Sequence, residues 1–395
     1  MKKHNYTVID ADSHVYEPAE IWTKYLEPEY RTLARSSFWH EVSTDSTPVV
    51  ILNGSPAPAF ADGKLNRHTI YRPGMTVKEI GALDPKKSHP ANPGAWDGKM
   101  RLKDMDAMDI DQAIVFPTLF AEYLPVVENP DVAYALARAY NNWALDLAKA
   151  DPKRLFPMAI LPMQSPAFAM KELQRTAKAG FKGVSIRPSF YHSRYPNAPE
   201  YNALWAEIER LGIAACITPS SGVTNPEWTS EGPFIERVAS VLRIGQPVAE
   251  VIAPGMDGGL FLSAICFFGH MEDYPRLKLG YFHSGGYWVP LALEKSETYL
   301  WLFPQAKPVS LEPQEVFHNR PSLVNFDTWE SCVSRLPDLY EDVGAWGSRY
   351  PGHDASDAVE AIANLERGGL SGDIIRKLMG ENAAKFFGLK TKVPV

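Results

Sequence analysis

Cysteine is scarce in this 395-residue chain: Cys216, Cys266 and Cys332 lie far apart and outside any Cys-x-x-Cys spacing. That excludes a disulfide framework and a thiolate zinc site, and it fits a reducing compartment. Long apolar runs are also missing, the longest being 258–269, short of the roughly 18 residues that cross a bilayer. The polar residues 1–6 lead directly into the apolar run at Val8 and leave no space for the apolar stretch of a signal peptide. A cytoplasmic location with no membrane partner is therefore expected. No run of Lys or Arg accompanies the formal net charge of −7, so the phosphate-neutralising stripe that nucleic-acid binding needs is absent. A small-molecule substrate is the expected partner. There is no GxGxxG after the first apolar run, no internal repeat and no low-complexity tract.

What is present describes an ordinary globular protein, 45% hydrophobic and 22% charged, with enough chain to bury a large core. Eight short runs rich in β-branched or aromatic residues recur along it, at 7–14, 112–117, 156–163, 183–188, 214–219, 277–283, 322–326 and 342–348. Several are apolar at nearly every position, as parallel strands covered on both faces must be. Helical segments lie between them. Asn129-Pro130-Asp131 opens one that runs to Lys149, and Ser165-Pro166 opens another that stops at Gly180. This alternation predicts an α/β protein, a (β/α)8 TIM barrel formed by 1–395 as one domain, with its chemistry on loops after the carboxyl ends of strands. The segment 38–99 carries seven scattered prolines and breaks the rhythm. It reads as an insertion after the first strand, placed over the barrel mouth, where it either shapes a pocket or is a surface excursion.

Asp10, Asp12 and His14 alternate at the end of the first run, so a period of two sends all three to one side. If that side is the barrel interior, carboxylate and imidazole together suit a divalent metal such as zinc, iron or manganese; the alternative is a hydrogen-bonded pair without metal. His283 closes the sixth run and is the natural third ligand, with small residues Ser284-Gly285-Gly286 behind it that would let a ligand approach the backbone. His353 and Asp354 are further candidate ligands, following just after the eighth run. Arg187 and His192, at and beyond the end of the fourth run, are candidates for binding substrate, Arg187 through a carboxylate. The aromatic residues from Tyr287 and Trp288 to Tyr299 and Trp301 are expected to be core packing of the helix after strand six. The remaining histidines, at 4, 40, 68, 89, 270 and 318, have no supporting neighbours in the sequence and are assigned no role.

The stretch Val8-Ile9-Asp10-Ala11-Asp12-Ser13-His14-Val15-Tyr16-Glu17-Pro18 resembles the opening of the amidohydrolase-related family, which includes aminocarboxymuconate semialdehyde decarboxylase and the resorcylate decarboxylases. The similarity continues through 183–188, 283–290, Gly347-Ser348 with Tyr350-Pro351, and Gly380-Glu381-Asn382-Ala383-Ala384. The resemblance implies a distorted (β/α)8 barrel of the metal-dependent hydrolase type, holding one or two divalent metals. It places ligands at Asp12, His14 and His283. It also implies a fifth-strand His where this chain has Thr218, and an eighth-strand Asp, both ligand and proton shuttle, where Arg349 stands.

Arg349 could pair with Asp10 or Asp12, or hold a carboxylate in bidentate fashion, so it joins Asp10 as a candidate catalytic residue. The implied activity is hydrolysis or non-oxidative decarboxylation of a small carboxylated or amide substrate, with zinc first among the metals and iron or manganese as alternatives. The altered positions keep two other readings open: a metal-dependent oxygenase, and a non-catalytic subunit with a structural metal that pairs with an active homologue. A homo-oligomer, or a hetero-oligomer with a related barrel, is the expected assembly.

Overall fold

β-Branched and aromatic residues pack best on a pleated surface buried on both faces, and the runs rich in them form the strands. The computed structural model describes residues 4–42, 48–56, 66–218, 247–302, 309 and 312–391. Its strands in chain order are β1 (Ile9–His14), β2 (Phe38–Val42), β3 (Pro48–Leu52), β4 (Ser55–Pro56), β5 (Gln112–Phe116), β6 (Leu155–Pro157), β7 (Ala159–Ile160), β8 (Gly183–Ile186), β9 (Ala214–Ile217), β10 (Lys278–Tyr281), β11 (Ser322–Phe326) and β12 (Gly344–Trp346). Each of the eight expected runs holds a parallel strand. The third is split into β6 and β7 at Met158, whose N–H still donates to Val115 O at 2.9 Å. Hydrogen bonding follows the order β1–β5–β6, then β7–β8–β9–β10–β11–β12. Residues beyond β12 return to the first strand: Arg349 N donates to Asp12 O at 2.9 Å, and His14 N donates to Tyr350 O at 2.7 Å. The architecture is a distorted (β/α)8 barrel.

Residues at alternate positions on different strands, among them Ile9, Ala11, Ile114, Phe116, Ala214, Cys216 and Leu323, form a small cluster that fills the barrel interior. Phe386 and Phe387 of the last helix pack against it. A larger core lies between strands and helices. The helix Pro130–Ala148 begins where Asn129 accepts hydrogen bonds from the N–H groups of Asp131 and Val132. Helix Pro166–Ala179 ends at Gly180, whose φ of 99° only glycine adopts without strain. Among the described residues no helix is long and apolar enough to cross a membrane.

The period-of-two expectation for β1 fails. Its pairing with β5 shifts register between Asp10 and Ser13, so Asp10 does not share a side with Asp12 and His14. Part of the 38–99 segment forms the antiparallel sheet β2–β3–β4, while 43–47 and 57–65 lie outside the described residues, as does Pro219 at the end of the fifth run. The aromatic stripe is mostly not core. Trp288 is buried, but Tyr287, Tyr299 and Trp301 are exposed, Trp301 by 79%. A helix turns these positions to different faces: Trp288 meets Gly258 and Gly259 of helix Pro247–Phe267, and the half-exposed Tyr287 lies against Gly255 of the same helix.

Candidate metal centre

Asp12 and His14 leave β1 at its carboxyl end, and His283 follows β10 with a left-handed φ of 59°. The shifted register turns Asp12 toward the mouth, where Gly347 makes room: a Cβ there would strike the Cβ of Asp12. His14 Nε2 lies 3.2 Å from Asp12 Oδ1, and His283 Nδ1 lies 3.6 Å from Asp12 Oδ2. The two imidazoles meet edge to face with ring centroids 4.5 Å apart. One ligand atom from each residue falls within a 4.8 Å group. Among the described residues Asp12 Oδ2 and His283 Nδ1 are buried and have no hydrogen-bond partner, a costly state that a cation between them would relieve.

The protonation states suit that cation. Burial alone would raise the pKa of Asp12, but the neighbouring His14 and His283, and the hydrogen bond with His14, hold it well below the usual carboxylate range. Burial, helped by the neighbouring Arg349 and His14, depresses His283 to about 4. An ionised carboxylate and a neutral imidazole are what metal ligation requires.

The mouth encloses about 130 Å³, lined by His14, His68, Thr118, Glu122, Arg187, Thr218, His283, Arg349, His353 and Asp354. Arg187 is buried. Its guanidinium donates to Glu122 O at 2.9 Å, and its Nε has no hydrogen-bond partner among the described residues. Thr218, in the place of the implied fifth-strand His, shares a 2.7 Å hydroxyl hydrogen bond with Ser185. Arg349, in the place of the implied Asp, forms an ion pair with Asp354, Nε to Oδ2, at 2.5 Å. Its expected partners were Asp10 or Asp12. Asp354 wins because it follows on the same turn and presents its carboxylate directly, whereas Asp12 faces the histidines. The guanidinium holds Asp354 down to about 2 against the effect of burial.

Asp10 sits at the seam between β1 and β12, accepting from Ser348 N at 2.8 Å and Ser348 Oγ at 2.5 Å. Burial pushes its pKa up to about 6, against those hydrogen bonds. It does not line the cavity. Neither does His192, which is exposed on the turn that joins Tyr191 to Arg194. His353 and Asp354 line the cavity but lie outside the three-ligand group. The space expected beside Gly285 and Gly286 is taken by Glu330, whose Oε2 accepts from Gly286 N at 2.8 Å.

Sequence reasoning missed His68, Thr118 and Glu122. His68 comes from the 38–99 insertion and reaches the mouth stacked on Tyr16, with ring centroids 5.9 Å apart. Only the fold brings it there. Thr118 and Glu122 follow directly on the second barrel strand, so their position at a strand's carboxyl end was the available signal.

A family model described as amidohydrolase matches residues 9–389. The chain belongs to the amidohydrolase family. Among its curated relatives is a gamma-resorcylate decarboxylase from Rhizobium radiobacter, 30% identical over 192 residues that make up 47% of this chain and 54% of that one. The chain spans about half the length of the curated relatives it matches. An amidohydrolase from Mycobacterium avium subsp. paratuberculosis K-10 superposes with a TM-score of 0.75 at 20% identity, covering 98% of this chain and 99% of that one. A 5-carboxyvanillate decarboxylase from Novosphingobium aromaticivorans, solved with manganese, gives a TM-score of 0.67 at 18% identity over 98% and 97%. At these identities the two structures establish the fold of this amidohydrolase.

Proposed function

We propose that this amidohydrolase is a metal-dependent enzyme that removes a carboxyl group, without oxidation, from a small carboxylated substrate. The observation that carries the reading is the convergence of His14, His283 and the buried Arg187 on one cavity, with Asp12 joining the two histidines in a single ligand group. Asp12, His14 and His283 hold a divalent ion, zinc or manganese, which supplies Lewis-acid polarisation of a substrate oxygen. Arg187, with an unused Nε donor, receives the substrate carboxylate. Arg349 keeps a fixed positive charge beside the reacting group, and its pairing with Asp354 leaves His353 and Asp354 outside our ligand set. The chain acts as one barrel domain whose 38–99 excursion screens the mouth, an idea supported by His68. A cytosolic location is supported by the free thiols of Cys216, Cys266 and Cys332.

The test is CO2 release from a panel of hydroxybenzoates by protein loaded with zinc or manganese. Release that disappears in Arg187→Gln supports the reading; no release from any member with either metal contradicts it.

A second reading rests on the ligand types. Two histidines and one carboxylate, with no fourth ligand in the group among the described residues, make the facial set that iron(II) oxygenases use. Oxygen uptake by iron-loaded protein in the presence of the same panel would favour this reading over decarboxylation.

We also propose that two copies of the chain associate through the apolar face of helices Pro247–Phe267 and Val289–Leu302. Leu260, Leu291 and Leu302 are each more than half exposed there, and among the described residues Lys295 is the only charged one lining the groove between the helices. Together with Ile252, Met256, Tyr287 and Tyr299, the face offers on the order of 700 Å², comparable to the ~800 Å² per partner of a stable interface. Light scattering of the pure protein distinguishes a dimer from a monomer, and Leu291→Glu should convert the first to the second. A monomer that gains mass only with a related barrel would support a hetero-oligomer instead.

A further inference from the structure

Thr118 occupies the N-cap position of helix Leu119–Tyr123, where a threonine hydroxyl ordinarily accepts a hydrogen bond from the first turn. Here it makes no such bond. The first-turn donors are taken by Glu17 instead. Its Oε2 accepts from Leu119 N at 2.9 Å, and its Oε1 accepts from Thr118 N at 3.0 Å and from Phe120 N at 3.4 Å. Glu17 is fully buried, and its backbone carbonyl is itself fixed by His40 Nε2 at 2.9 Å. With its capping duty removed, the Thr118 hydroxyl is left facing His14, Oγ1 to Nδ1, at 3.3 Å.

The other ring nitrogen of His14 is the one that meets Asp12 Oδ1 and faces His283. A neutral imidazole carries one proton, so a hydrogen bond donated by Nδ1 leaves the lone pair on Nε2 for a metal. We propose that Glu17 and Thr118 form a positioning clamp that fixes the ring of His14 with Nδ1–H donating to Thr118 Oγ1 and Nε2 turned toward the metal. Glu17 lies three residues beyond His14, so the segment that delivers the ligand also sets the group that orients it. The inference deepens the metal-centre reading and rests on it: without a metal the Asp12 carboxylate, which can only accept, takes a hydrogen bond from His14 Nε2–H while the Thr118 hydroxyl donates to Nδ1, and metal binding at Nε2 reverses both.

Thr118→Val removes the acceptor at nearly constant shape, and Thr118→Ser retains it. Two quantities decide the matter: the Nδ1 proton signal of the His14 ring in zinc-loaded protein, and zinc affinity by competition with a chelator. The clamp predicts a hydrogen-bonded, slowly exchanging Nδ1 proton in the wild type and in Thr118→Ser. It predicts loss of that signal in Thr118→Val and zinc affinity weaker by about 10- to 100-fold. A threonine that only supports packing would lower the melting temperature of Thr118→Val but leave zinc affinity unchanged, and that result overturns the clamp alone. A wild type that binds neither zinc nor manganese overturns the metal reading and the clamp with it.

Discussion

Arg349 and Asp354 form an ion pair at the carboxyl end of β12, with Nε and Oδ2 2.5 Å apart, where the family resemblance leads one to expect a lone aspartate. The pair encloses its own charge within the mouth. Removing one member leaves the other's charge less well compensated in a half-buried site, which typically costs about 1–3 kcal/mol. Arg349→Ala and Asp354→Ala should therefore each destabilise the fold by about that amount in urea unfolding. The double variant should lose clearly less than the sum of the two, and strict additivity would show that the pair is not coupled.

Arg187 is expected to act through binding. Replacing it with Gln removes a charge-assisted hydrogen bond to the carboxylate, worth about 1.5–3 kcal/mol. Titration calorimetry with a hydroxybenzoate should show affinity reduced by roughly 10- to 100-fold. Unchanged affinity would make Arg187 a strut for the Glu122 carbonyl and nothing more.

Glu330 bears on stability rather than chemistry. Burial, followed by the nearby Asp327, pushes its pKa up to about 8, while its carboxylate accepts from Gly286 N. A carboxyl that holds its proton more tightly when folded contributes stability that is complete below its unfolded pKa, near 4.5, and lost as pH rises through 8. Between those values the slope approaches about 1.4 kcal/mol per pH unit for one proton. Glu330→Gln keeps the acceptor and has no proton to lose, so its stability should fall less steeply than that of the wild type over this range. Parallel pH profiles would refute the assignment.

Much of this was legible beforehand, for identifiable reasons. The barrel was readable because buried parallel strands must be apolar on both faces, and the helix ends because Asn129 and Gly180 do local work that few residues can do. Asp12, His14 and His283 were legible as strand-end residues, and the structure brings them together. Asp10 was misplaced because one register shift in β1 breaks the period of two, and no sequence pattern announces such a shift. The partner of Arg349 was misjudged because Asp12 is nearer in motif while Asp354 is nearer on the turn. His68 was invisible because an insertion must fold back before it can reach the mouth, whereas Thr118 carried one signal, its place at a strand's carboxyl end, and only the fold adds that Glu17 takes over its cap.

The measurement that bears most directly on the central claim is elemental analysis of freshly purified protein beside the double variant His14→Ala, His283→Ala. The account predicts close to one divalent ion per chain in the wild type, zinc or manganese, and almost none in a folded double variant. No ion in the wild type even after reconstitution, or an equal content in both proteins, would contradict it.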